Sequence, residues 1–162
     1  MINKEKEFDS SNIEYIEEVK PKSYVNQVKW DMAIGLQEVD NLKPSKYFEK
    51  LIDDNIEGNK TLEQVKQELK EYYVEKDKKQ EINNNELECD FVSTRIVELL
   101  EIDNFELSID YLKYVHKYLF QDVYDFAGQF RTIDFSKHEK ILNGDSVAYG
   151  DSKTLKESIE YD

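Results

Sequence analysis

Apolar residues recur at three- and four-residue spacings along most of this chain, a pattern that predicts helices. Val25, Val28, Met32, Leu36 and Val39 share one face of a helix predicted over about 23–40. Gly35 lies inside it, at a cost of about 1 kcal/mol against alanine. Pro44 ends that unit, and Ser45 is placed to cap a second helix whose stripe is Tyr47, Phe48, Leu51, Ile52 and Ile56. Gly58 stands where a C-terminal cap belongs. Thr61 and Gln64 match a capping box ahead of a third helix with Leu62, Val65, Leu69 and Tyr72 or Tyr73 inward. Residues 75–88 carry almost no apolar side chains and read as a linker. A fourth helix is predicted over about 87–101, with Phe91, Thr94 or Arg95, Val97, Leu99 and Leu100 as its apolar side. Ser108 is placed to cap a fifth, with Asp110 in its first turn and Leu112, Val115, Leu119 and Phe120 along one face.

Past Phe120 the helical period stops. Tyr124, Phe126 and Phe130 surround Ala127-Gly128, which predicts an aromatic turn, and alternation over 130–135 predicts a short strand. Ile141 and Leu142 precede Asn143-Gly144-Asp145, with Val147 and Tyr149 beyond, a strong hairpin signal. Leu155 and Ile159 share one face of a last helical segment at 152–161. The expected fold class is therefore mainly α, a helical bundle with a small β-hairpin. The expected organisation is a leader at 1–22, a three-helix unit at 23–74, the linker at 75–88 and a second unit at 89–162. So small a three-helix unit buries little area and is expected to lean on a neighbour.

Charge narrows the function classes. The formal net charge is -14 over 162 residues, and lysines are interleaved with glutamates. That sign disfavours a duplex nucleic-acid partner and an anionic membrane surface. No apolar run is long enough to span a bilayer, and the first residues lack the apolar core of a signal peptide. The single cysteine, Cys89, permits no disulfide within the chain. It fits a reducing cytoplasm and reads as a small buried hydrophobe. His116 reads as a partly buried structural histidine, and His116 and His138 have no metal-ligand spacing. Phosphate-binding, dinucleotide and zinc-hydrolase motifs are not found.

The run from Leu112 to Arg131 resembles the amino-terminal half of a Fic domain. The matching pieces are His116, Leu119-Phe120, the acidic-aromatic turn Asp122 to Asp125, Phe126-Ala127-Gly128 and Arg131-Thr132. Phe126 stands where that family commonly has tryptophan. The resemblance covers about 91–162 and implies protein AMP-transfer from ATP, with magnesium, to a hydroxyl of a target protein. The family's catalytic motif, with its histidine base, acidic magnesium ligand and anion-binding turn, does not occur in this chain. No catalytic or metal-binding residue is assigned, no cofactor is expected to bind here, and the chain alone is expected to be inactive. In the same resemblance the 140–149 hairpin corresponds to the flap that clamps the target as an added strand, through Ile141, Leu142 and Val147.

The segment Gly35 to Ser45, with Ile56-Glu57-Gly58, resembles a VbhA-like antitoxin domain. In that family a Ser/Thr precedes by four positions a Glu followed by Gly or Asn, and the glutamate restrains the Fic enzyme. Leu36 stands at the first position here, and Asp40-Asn41 at the second. Thr94 to Glu98 reproduces the Ser/Thr-to-Glu spacing a second time, although the plainer reading of Glu98 is a solvated helix acid. The expected partner is a target protein or a Fic protein. The alternative is a non-catalytic antitoxin-like regulator that binds a partner Fic protein.

Overall fold

The computed structural model describes residues 20–102, 106, 108–138 and 146–160. Helix α1 spans Lys22–Val39, α2 Lys46–Ile56, α3 Leu62–Lys78, α4 Asn84–Leu99 and α5 Ile109–Phe120. Strands β1 (Ser136–His138) and β2 (Ser146–Ala148) follow, then α6 at Leu155–Glu160. The fold is mainly α, a helical bundle carrying a small antiparallel hairpin in which Ser136 faces Ala148 and His138 faces Ser146.

Local chemistry sets the helix starts as the sequence implies. Ser45 Oγ accepts from Phe48 N at 3.1 Å and opens α2. At α3, Thr61 Oγ1 accepts from Gln64 N while Gln64 Oε1 accepts from Thr61 N, the reciprocal pairing of a capping box. Ser108 Oγ accepts from Tyr111 N and opens α5. The helix ends share a closure that the sequence shows only at Gly58. At α1 the left-handed residue is Asn41 (φ 60°), with Asn41 N donating to Glu38 O and Leu42 N to Gln37 O. Gly58 (φ 81°) closes α2 in the same way, and Gln80 (φ 58°) closes α3. Each satisfies carbonyls of the last turn that would otherwise lack donors.

The core gathers Trp30 and Ala33 of α1, Phe48, Leu51 and Ile52 of α2, Val65, Leu69 and Tyr73 of α3, and Val97 of α4. The Trp30 ring meets the Phe48 ring edge-on at 5.5 Å, and its Nε1 donates to Asn55 Oδ1 at 2.9 Å. This reverses the expected orientation of α1. Its Val25–Val39 stripe faces outward, from 38% exposed at Val28 to 77% at Val39, and Trp30, Ala33 and Gln37 face inward. The helix has two apolar faces, and the one carrying the indole, with its large area and its hydrogen-bonding edge, is the one buried.

Two other expectations are corrected. The stretch 75–88 is not an extended linker: α3 runs to Lys78, α4 starts at Asn84, and only the turn 79–83 lies between them. Its charged residues favour helix: Lys78 pairs with Glu75 within α3 at 2.6 Å, and Lys76 reaches across the turn to Glu86 at 3.9 Å. Residues 130–135 form no strand; the pairing begins at Ser136, and the stretch before it is held instead by the Arg131 side chain, which bonds Ile133 O, Gly150 O and Asp134. Ile141, Leu142 and the Asn143-Gly144 turn lie outside the described residues. Among those described, no helix is long and apolar enough to cross a membrane.

Candidate functional site

Helix α4 joins the bundle to everything that follows it. Asp90, on its inner face, is fully buried and accepts from Ser45 N at 2.9 Å, Ser45 Oγ at 2.6 Å and Tyr73 OH at 2.7 Å. One carboxylate thus holds the start of α2 and the middle of α3. Burial pushes its pKa from 3.8 up to about 6, with the Ser45 and Tyr73 donors pulling the other way. Burial and the Asp90 charge together push the Tyr73 phenol up strongly. Burial also raises the Cys89 thiol to about 12, which makes it a poor nucleophile near neutral pH. The packing reading of Cys89 therefore holds.

One turn further along α4, Arg95 and Glu98 form an ion cluster. Glu98 pairs with Lys66 of α3 and, at 3.1 Å, with Arg95. Arg95 in turn donates Nε and Nη2 to Asp122 Oδ2 at 2.9 and 2.7 Å, and its guanidinium lies 5.2 Å from the centre of the Tyr118 ring. Glu98 is therefore no solvated helix acid: its side chain is 12% exposed and it is held by two cations. Thr94, four positions earlier, is buried and donates its hydroxyl to Asp90 O at 2.8 Å. The spacing Arg95-Glu98 was legible as a helical pair. Lys66 and Asp122 join it only through the packing of three elements.

Beyond α5 the aromatic turn is fixed by two hydrogen bonds and a close approach of its backbone to α5. Gly128 N donates to His116 Nδ1 at 2.8 Å. Tyr124 OH donates to Glu88 Oε2 of α4 at 2.6 Å, and that bond, with burial, raises the phenol to about 12. Gly128 itself has φ 77°, and a Cβ there would sit 2.6 Å from Lys117 Cβ and 3.0 Å from Lys113 O. His116 is half-buried with its ring 4.9 Å from Phe120, a structural role as expected.

The remaining sequence-derived positions lie apart from this assembly. Asp40 caps the end of α1 on the exposed surface, and the exposed Asn41 supplies the left-handed closure. Val147 is half-buried in β2, where it faces Lys137 of β1. Asp40–Asn41, Glu98 and Val147 thus sit on separate elements and form no common pocket. An open hollow lies beside Asn26, Asn55, Lys60 and Glu101, but its polar groups are engaged. Asn55 bonds Trp30 and Lys60, Lys60 pairs with Asp54 and Glu68, and Glu101 pairs with Lys29. Among the described residues, no group of His, Cys, Asp and Glu could hold a metal ion. In comparisons with known proteins, no family model, curated protein or solved structure matches the chain.

Proposed function

We propose that this chain is the amino-terminal part of a Fic-type protein AMP-transferase, joined to an antitoxin-like regulatory unit. The observation that carries the reading is the construction of α5 and the aromatic turn. His116, Gly128 and Tyr124 fix the turn, and Arg95 and Glu88 fasten it to α4. Yet α5 has no buried residue, and Leu112, Tyr114 and Phe126 are all at least half exposed. A rigid, aromatic platform with an open apolar side suits the role of bracing a catalytic helix. In this reading ATP and magnesium belong to residues of the family's later motif. In this reading the β1–β2 hairpin offers Val147 to an extended target strand, and Ile141 and Leu142, the other expected flap contacts, lie outside the described residues. The reducing cytoplasm, a protein partner, and neither nucleic acid nor membrane complete the proposal.

A second reading is favoured by one feature, the exposed position of Asp40 at the end of an apolar surface that includes Leu36 and Val39. There the chain is a non-catalytic regulator that docks a separate Fic enzyme. Incubation with labelled ATP and magnesium, alone and with a purified Fic enzyme, separates the two. Both readings expect no transfer by the chain itself, and robust labelling would overturn that expected inactivity. The regulatory reading also expects slower transfer by the added enzyme, relieved at least several-fold by Asp40→Ala. Equal restraint by both forms would remove Asp40 from that role.

A further inference from the structure

The outward face of α1, whose Leu36–Val39 end also serves the regulatory reading, has a further regularity of its own. Val25, Val28, Met32, Leu36 and Val39 are all exposed, between 38% and 77%. Their spacing runs three, four, four, three. That is close to the 3.5-residue period of a helix–helix seam, and it reads the same from either end with Met32 at its centre. We propose that α1 is a self-association surface, on which a second copy of this chain packs its own α1 antiparallel about a two-fold axis through Met32.

Such an axis brings Met32 against Met32, Val25 against Val39 of the second copy, and Val28 against Leu36. Each contact is made twice, as an isologous interface demands. Gly35, at the edge of the seam, has no atom within 4 Å of where a Cβ would lie, so the facing backbone has room to approach. The flanking charges fit the same register. Lys22 lies on the same flank as Asp40 of the second copy and about 3 Å from level with it, within side-chain reach, and Tyr24 stands likewise to Glu38. Lys29 is already paired with Glu101 at 3.0 Å and takes no part. Asp31 stands about 3 Å along the helix from its own mate, a like-charge approach that limits affinity. Residues 1–19, the other nearby candidate to cover this face, carry Glu14, Glu17 and Glu18 among their apolar positions. They would meet the same sign of charge at Asp31 and Glu38. A seam of five apolar side chains per copy falls short of the roughly 800 Å² that each partner contributes to a standard interface, so the expected dimer is weak, with a dissociation constant on the order of 10–100 μM.

Sedimentation equilibrium of the full 162-residue chain, from about 1 to 500 μM, should show a monomer–dimer equilibrium in that range. Met32→Glu should weaken it by at least about thirtyfold while leaving the helical circular dichroism unchanged. Met32→Cys should form an intermolecular disulfide on mild oxidation, since the two sulfurs meet on the axis and Cys89 is fully buried. Val39→Cys should not, because its mate is displaced by about 21 Å along the helix at 1.5 Å per residue. Lys22→Asp should weaken the dimer several-fold, and adding Asp40→Lys should restore it. A chain that stays monomeric at 500 μM overturns the proposal. So does a dimer indifferent to Met32→Glu, equal cross-linking by the two cysteine variants, or association that appears only after residues 1–19 are removed.

Discussion

Asp90 concentrates more of the fold in one side chain than any other residue described. Its carboxylate is buried, yet it ties the cap of α2 to Tyr73 of α3. Because its pKa rises from 3.8 to about 6, the folded chain holds this proton to higher pH than the unfolded chain does. Its contribution to stability is therefore largest below about pH 4, declines as pH rises through 4–6, and is constant above. That window corresponds to about 3 kcal/mol. The exposed Glu63, Glu75 and Asp134, whose carboxyls are lowered by hydrogen bonds from Lys66, Lys78 and Ser152 respectively, work in the opposite direction. The site is therefore read by difference. Urea unfolding of the native chain and of Asp90→Asn at pH 4 and 7 should show the native chain gaining relative stability at pH 4. A gap that does not move would mean that Asp90 is not protonated there. Gly128 gives a second test at this scale. A Cβ on Gly128 meets backbone and Cβ atoms of α5 at a positive φ, so Gly128→Ala should cost at least about 1–2 kcal/mol for the backbone conformation alone. It should also loosen the turn, seen as loss of the near-ultraviolet signal of Tyr124 and Phe126. Gly128 was visible in the sequence as a turn residue, but its closeness to Lys117 was not. Asp90 stood as one acid among many, because nothing in a one-dimensional pattern says which acid turns inward.

Elements were legible where their signals are local. Ser45, Thr61 with Gln64, and Ser108 cap the helices their spacing implies, since a cap is decided within four residues. The face of α1 was not legible in this way. Period alone cannot choose between two apolar faces, and the choice depends on Trp30 reaching Phe48 and Asn55 of another helix. The lone tryptophan, with Ala33 and Gln37 at helical spacing, was the available signal. The closures at Asn41 and Gln80 are not legible in the sequence because neither is glycine. Gln80 holds φ 58° without the backbone freedom that glycine gains by lacking a Cβ. Gln80→Gly should therefore raise the urea midpoint, with a gain of about 0.5–1 kcal/mol after the added unfolded-state entropy. Asn41→Gly should be close to neutral, since asparagine tolerates this region better. A fall in stability at Gln80→Gly would mean that the α3–α4 turn does not depend on that closure.

At the scale of the molecule, two regions differ in how they are held. Helices α1 to α4 share a buried core, whereas α5 buries none of its residues and is tied, with the turn behind it, to α4 by polar contacts. Arg95 is the principal tie, bonding Asp122 through two nitrogens and lying over Tyr118. Hydrogen bonds to charged groups contribute about 1.5–3 kcal/mol when partly buried, enough to decide whether a coreless helix stays docked. Arg95→Ala should therefore raise amide hydrogen exchange across α5 and residues 121–130 by ten- to a hundredfold. The amides of α1 and α2 should keep their protection, because the Trp30–Phe48 core does not include Arg95. Lys66→Met is the companion variant. It frees Glu98 on the α3 side while leaving the Arg95–Asp122 tie in place, and should change exchange in α5 far less. If Arg95→Ala instead accelerates exchange in α1 to α5 alike, α5 and the bundle unfold as one cooperative unit, and α4 transmits stability between them rather than marking where one part ends.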